Sequence, residues 1–510
     1  MVWFRGADLR VHDHLALHAA CRDSRELIPV FVLDPAYLAK DPPWPAPHRV
    51  QFLLTAVEEL AQELAARGSE LQLVHGPAST RIPELVAQLQ VERVFAIGSC
   101  EPRARARDAR IARELAVPFE LCELDTLLDP ASVKTGSGTA FRVYTPFSRA
   151  ALSRLSKLQP LAAPKQLPPL PSSLRLKPVK LPTLKSLGIT PNPELQPGGE
   201  RAGRERLRVF LAGPVADYET ARDRMDVSGT SRLSADLHFG TLSARSVWSA
   251  LDRPTGLEIP RQSHMRYRAE LLWREFSHYT LWHHPSVLEE PFRPEFHDFP
   301  WRDGREAESD FEAWWHGRTG YPVVDAAARQ LLREGFVHNR ARMISASFLT
   351  KHLLINYQRG EALYLQLLTD GDLAQNNLGW QWSAGCGCDA QPYFRIFNPV
   401  TQGERFDPQG AYVRRLVPEL ARLPVRYIHA PWLAPESVLK QAGVRLGETY
   451  PRPIVEHAAG RQRFMLVASE HIKAMRARGA GGQAKAGAAK GGKKRALPTR
   501  AKRKHAAVEA

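Results

Sequence analysis

Residues 376–399 read NNLGWQWSAGCGCDAQPYFRIFNP. Trp380 and Trp382 flank a single glutamine, two asparagines precede them, and an aromatic run from Tyr393 to Phe397 follows. Indoles clustered beside amides point to a site that stacks planar rings and passes electrons. The Cys386-Gly-Cys388 pair inside the stretch lacks the companion ligands that a structural zinc site or an iron–sulfur cluster uses, so no metal is expected. Upstream, residues 319–355 read TGYPVVDAAARQLLREGFVHNRARMISASFLTKHLLI. Apolar positions at three- and four-residue spacing predict helices over 322–335 and 340–356.

The same spacing marks 262–282 and 360–369, so residues 200–475 read as an all-α domain. The first part of the chain is different. Short apolar runs at 2–4, 27–33, 71–75 and 93–98 predict buried strands, with a helix over 48–67 between two of them. This alternation predicts an α/β domain with a parallel, Rossmann-like sheet over residues 1–130. No G-x-G-x-x-G follows the first strand, so the dinucleotide fingerprint is missing. Residues 131–199, most proline-rich from 158, read as an extended interdomain connector. From 476 to 510 the chain is rich in Gly, Ala, Lys and Arg without apolar periodicity, which predicts a disordered basic tail.

Lys and Arg number 70 against 54 Asp and Glu in 510 residues, a net charge of +16. Eleven Lys/Arg and one acid lie from Arg476 onward, so the tail holds +10 of that charge. A basic chain of this kind points to a polyanionic partner, nucleic acid first, with the tail neutralising phosphates. Five cysteines, Cys21, Cys100, Cys122, Cys386 and Cys388, are odd in number and scattered, which suits a reducing cytosol. With no signal peptide and no long apolar run, the expectation is a soluble cytoplasmic, nucleoid-associated protein without a membrane partner.

The two quoted stretches together resemble the flavin domain of the photolyase/cryptochrome family, and within it the class I photolyases that split cyclobutane pyrimidine dimers in DNA. The opening VWFRGADLRVHDHLAL, residues 2–17, resembles the family's antenna domain. The resemblance implies FAD, kept fully reduced as FADH−. Thr230-Ser231-Arg232-Leu233-Ser234 supplies hydroxyls, amides and a guanidinium suited to a pyrophosphate, and in the family this run is the phosphate cradle. Gly240, Leu242, Ser243 and Arg245 continue the match. Tyr218, Arg274 and Asn339 join the implied cofactor set. Arg342 and Asp370 are implied as an ion pair beside the flavin ring, with Gly371 and Asp372 next to it. Asn376 matches the residue facing the flavin N5. Plant cryptochromes place Asp there and insect ones Cys, so Asn favours a repair enzyme.

Glu270 and Trp273 stand three apart on one predicted helix and so share a face. The resemblance gives Glu270 the dimer's base edge and Trp273 a stacking face, with Trp382 as the facing wall and Asn339 and Met343 completing the pocket. The stretch His338–Met343 lacks the histidine-rich pattern of (6-4) photolyases. Arg222, Arg340 and Arg395 are the implied phosphate contacts. The implied partner is dimer-containing DNA, flipped out for repair, and the implied protein is a monomer. Glu270, Asn376 and Trp380 form the catalytic set. The electron relay would run Trp380, Tyr357, Trp301. Three positions depart from the pattern. Tyr357 replaces the middle tryptophan, which predicts slow or altered photoreduction. Leu378 replaces Gly beside Asn376. Ala104 replaces the carboxylate before Arg105-Ala106-Arg107-Asp108, which disfavours a folate antenna and leaves a deazaflavin, another chromophore or none. The alternative function is a blue-light sensor without repair.

Overall fold

The computed structural model describes residues 1–38, 46–124, 126–155, 158–252 and 258–489. The N-terminal domain holds a five-stranded parallel sheet in the order β3-β2-β1-β4-β5. The strands are β1 (Val2–Phe4), β2 (Pro29–Leu33), β3 (Gln72–His75), β4 (Val94–Gly98) and β5 (Phe119–Leu124). β1, β2 and most of β4 are buried, as expected of parallel strands covered by helices on both faces. β5, the edge strand FELCEL, was not foreseen. Its partial exposure and two glutamates hide it among loop sequence. The helix Pro47–Ala65 packs on the sheet through Phe52, Leu53, Ala56, Val57 and Leu60.

From Glu200 onward the described residues are helical. The longest well-packed helix, Arg261–His283, is buried along most of its length. It packs on the helix Leu373–Ala384, which in turn packs on Asn339–Ser347 and Tyr357–Leu367, with Pro322–Glu334 against Asn339–Ser347. The expected helix over 340–356 is interrupted. After Ser347 the chain widens into a π-turn at Phe348–His352 and then reverses at Leu354, where φ is +57°. The fully buried Lys351 sits in that turn and donates to the Arg395 carbonyl at 2.8 Å.

The connector is not bare. Tyr144–Leu152 forms a helix whose Phe147 and Ala151 enter the core of the helical domain. The proline-rich part lies along the sheet domain, where Leu167 and Leu195 are buried. It then bridges the two domains, with Asn192 donating to the Arg333 carbonyl at 2.9 Å. At the other end, the helix His457–Ala489 continues past Arg476, where the sequence predicts disorder. Its Ala, Lys, Arg and Gln are good helix formers, which offsets the glycines. The rest of the basic tail, 490–510, lies outside the described residues. Among the described residues no helix is long and apolar enough to cross a membrane.

Candidate functional site

The run Thr230–Ser234 enters a short helix, Ser234–Phe239. Arg232 takes a φ of +53° and Leu233 one of −89°. Backbone of alternating hand turns successive N–H groups to one side, the geometry of an anion-binding nest. The Tyr267 hydroxyl donates to Ser231 Oγ at 3.0 Å, and the Tyr267 ring meets Tyr218 edge-on at 5.0 Å. Tyr218 is therefore tied to the loop through a residue that the motif reading missed. The Arg232 guanidinium is already engaged. It pairs with Glu334 at 3.2 Å and lies 4.0 Å over the Phe336 ring. Gly240, Ser243 and Arg245 prove to be domain-docking residues. Gly240 has φ +61°, and a Cβ there would collide with the backbone of Ala7. Arg245 pairs with the buried Asp13 at 2.7 Å, and Ser243 donates to the same carboxylate.

On the facing helices, Arg342 Nη2 donates to both oxygens of Asp370 at 3.0 and 2.8 Å, and its Nε donates to the Val337 carbonyl. The Gly371 carbonyl accepts from Arg49 of the sheet domain at 3.1 Å. Asp372 caps the Leu373–Ala384 helix by accepting from the Gln375 N–H at 2.8 Å, and it meets His278 Nε2 at 3.1 Å. Burial pushes its carboxyl up, but His278, His238 and Arg274 outweigh that and hold it well below the usual range. Arg274, one turn before His278, reaches Glu275 at 3.2 Å and the Leu237 carbonyl at 3.3 Å. The four-residue spacing from Arg274 to His278 was the signal that could have placed His278 at the site.

Asn376 donates its amide N–H to the Glu361 carbonyl at 2.9 Å, and among the described residues nothing donates to its own side-chain oxygen. The amide is therefore turned with an acceptor outward, matched to an N–H donor. Asn377 in turn donates to the Glu361 carboxyl at 2.9 Å. Burial pushes that carboxyl up to about 7, against the pull of Asn377. The folded protein thus holds this proton more tightly than the unfolded chain. Its contribution to stability is full below about 4.5 and is lost as pH rises through about 7. Glu361→Gln is expected to flatten the melting temperature against pH across that window. An unchanged slope would assign the titration to another group.

This donor set fits FAD. The backbone nest with Thr230, Ser231 and Ser234 would hold the pyrophosphate. Arg342, Asp370, Asp372 and Asn376 carry the donors and acceptors that a flavin edge needs. Thr369 Oγ1 is buried beside Asp370 without a hydrogen-bond partner among the described residues, a further polar atom suited to a ligand.

The pocket residues converge through charge. Glu270 is ion-paired with Arg222, Arg222 lies 3.7 Å from Asp223, and Asp223 binds Arg340 at 2.8 Å. This network joins the Arg261–His283 helix to the N-terminal end of Asn339–Ser347. Burial raises the Glu270 carboxyl, and Arg222 opposes that shift. Two of the three arginines read as phosphate contacts are thus held by carboxylates, while Arg395 is exposed. Asn339 is exposed and lies 3.9 Å from Met343 Sδ. Trp273 and Trp382 are half-buried.

The ring contacts of Trp380 bring in residues outside the expected Trp380, Tyr357, Trp301 set. The rings packed on Trp380 are Trp314, at 6.0 Å and 76°, and Tyr364, at 5.1 Å and 88°. Tyr357 is not among them. Trp380 lies over Gly360, where a Cβ would collide with the indole, so it crosses the Tyr357–Leu367 helix beyond Tyr357. The Tyr357 hydroxyl is buried without a hydrogen-bond partner among the described residues, and burial pushes its pKa far up. Trp301 packs instead on Phe299 at 4.5 Å. Leu378 is also placed differently from its expected role beside the flavin. It is buried among Ser277, Thr280, Gln381 and Cys388 in a small cavity between two helices, so its side chain fills packing space.

The fold and this site are those of a flavin-binding protein with an α/β partner domain. The family model for DNA photolyase matches residues 1–168, and that for the FAD binding domain of DNA photolyase matches 267–470. A deoxyribodipyrimidine photo-lyase of Agrobacterium fabrum is 39% identical over 91% of this chain and 96% of its own length. A bacterial class III photolyase structure from Agrobacterium tumefaciens aligns with a TM-score of 0.85 and 37% identity, covering 92% of this chain and 97% of that one. A Synechocystis cryptochrome structure aligns with a TM-score of 0.83 and 30% identity, covering 91% and 98%. The chain belongs to the DNA photolyase/cryptochrome family, and its C-terminal domain is an FAD-binding domain.

Proposed function

We propose that this chain repairs cyclobutane pyrimidine dimers in DNA by light-driven electron transfer, acting as a monomer. The observation that carries this reading is the Glu270–Arg222–Asp223–Arg340 network beside Trp273. It sets a half-buried carboxylate, a stacking indole and two cations at one place. When bound and fully reduced, FAD supplies the light absorption and the electron that opens the cyclobutane ring and is then recovered.

The chain's own residues bind, orient and exclude water. A flipped dimer costs a few kcal/mol to extrude, about what stacking on Trp273 and Trp382 returns at roughly 1–3 kcal/mol per base. Glu270, with its raised pKa, suits hydrogen bonding to a base edge once Arg222 is drawn toward a phosphate. Arg340 would leave Asp223 in the same way, and Arg395 is already exposed. Such contacts fix position without reading sequence. The outward carbonyl of Asn376 suits the N–H of a reduced flavin and places no charge beside it.

The class I assignment rests on Glu270, Trp273, Asn339, Met343 and Trp382. Ala104 and Tyr357 fall outside that pocket. A class III photolyase structure is also similar, and on the antenna side Ala104 replaces a carboxylate. There Arg105 lies 3.7 Å over the Trp282 ring, so its guanidinium is engaged within the protein. The sensor reading is favoured by one observation, Tyr357 at the position of the family's middle tryptophan, its hydroxyl without a hydrogen-bond partner among the described residues. A substrate panel decides between the readings. The reduced protein under blue light is expected to restore an oligonucleotide carrying a cyclobutane dimer and to leave a (6-4) photoproduct unchanged. Binding of the dimer without restoration would favour the sensor.

A further inference from the structure

Tyr144 opens the short Tyr144–Leu152 helix in the connector, away in sequence from every residue of the pocket. Its ring lies parallel to Trp273, with centroids 3.7 Å apart and 4° between planes. Its hydroxyl donates to the Ala269 carbonyl at 2.9 Å, one turn before Trp273 on the same helix. Its backbone N–H donates to Asp389 Oδ2 at 3.0 Å. Asp389 stands in the loop after the Leu373–Ala384 helix, in left-handed backbone with φ +49°. That loop leads to Arg395, and the helix before it carries Trp382. One residue therefore touches Trp273 and the loop that follows the Trp382 helix.

The only other ring on Trp273 among the described residues is Phe276, edge-on at 5.9 Å and 77°. Tyr144 covers one face of the indole, Phe276 meets it edge-on, and no described ring covers the second face. A half-buried indole would otherwise swing between rotamers, and ordering it would be charged to binding. We infer that Tyr144 is a positioning residue that holds Trp273 flat as the platform for a flipped pyrimidine dimer and sets its spacing from the facing loop. The inference rests on the repair reading above.

The test uses the full-length, FAD-loaded protein in the dark. Affinities are measured for one oligonucleotide with a single thymine dimer and for the same oligonucleotide undamaged. Tyr144→Leu removes the ring stack and is expected to weaken dimer binding by about three- to ten-fold, the range of an aromatic pair. Binding of undamaged DNA and the flavin content should stay at the wild-type level. Tyr144→Phe keeps the ring and should recover most of the dimer affinity, which a merely structural role for the hydroxyl would not allow. If Tyr144→Leu does not give flavin-loaded protein, Tyr144→Met carries the same comparison. Equal or tighter dimer binding in the ring-less variant, with wild type preferring the dimer, would overturn the inference alone. A wild type that shows no preference for the dimer would overturn the repair reading, and the inference with it.

Discussion

Light-driven reduction of the bound flavin is expected to slow several-fold in Trp314→Phe and to change little in Tyr357→Phe. The reason is contact and proton chemistry together. Trp380 meets Trp314 edge-on, and Trp314 is fully buried with its indole N–H on the Ser345 carbonyl at 3.2 Å. Once Trp380 has given up an electron, Trp314 can refill it without moving a proton, because an oxidised indole keeps its N–H long enough to pass the charge on. A phenol does not share that property: it sheds its proton on oxidation. Among the described residues the buried Tyr357 hydroxyl has no acceptor to receive it. The electron is finally replaced by an external thiol reductant. Transient absorption of the tryptophan radical, with flavin reduction followed in parallel, checks the order. A Tyr357→Phe rate as low as that of Trp314→Phe would restore Tyr357 as the second station. Trp380→Phe should abolish the fast phase in either case.

Asp370→Ala is expected to give protein with little bound flavin and a clearly lowered melting temperature. Asp370 is almost wholly buried, and both of its oxygens are held by Arg342. Removing one partner strands the other's charge, a cost of about 3 kcal/mol when the remaining cation keeps some access to water. Arg342 has that access, since about a quarter of its side chain is exposed. It would keep its bond to the Val337 carbonyl but lose the charge that fixes its plane. The flavin-to-protein absorbance ratio after purification reads the effect, and a melting curve separates cofactor loss from unfolding. Wild-type flavin content in a folded Asp370→Ala protein would show that the pair stands away from the cofactor.

Much of the architecture was legible because it is written in local periodicity. β1 to β4 are apolar runs, and the helices around Pro322–Glu334 and Arg261–His283 follow their repeats to within a residue or two. β5 was not legible, because an edge strand carrying Glu120 and Glu123 has no run to read. The break after Ser347 was hidden for a different reason. Phe348–His352 keeps apolar spacing while its backbone widens to bury Lys351, and that choice is made by tertiary packing.

The site divides in the same way. Residues on one helix, such as Glu270 and Trp273, can be paired from spacing alone. Partners from distant segments cannot. Arg222 on Glu270, Trp314 on Trp380, Arg49 on Gly371 and Tyr144 on Trp273 each depend on how the helices cross. Gly240, Ser243 and Arg245 carried a motif signal whose physical meaning turned out to be docking between domains. Leu378 looked like a change in the flavin's surroundings and is a change in helix packing.

The central claim is that this chain reverses pyrimidine dimers with light. The most direct measurement is recovery of thymine absorbance in a thymine-dimer oligonucleotide mixed with the anaerobically reduced, flavin-bound protein, in blue light and in darkness. Recovery in blue light and none in darkness is the predicted result. No recovery in either, with the flavin demonstrably bound and reduced, would contradict it.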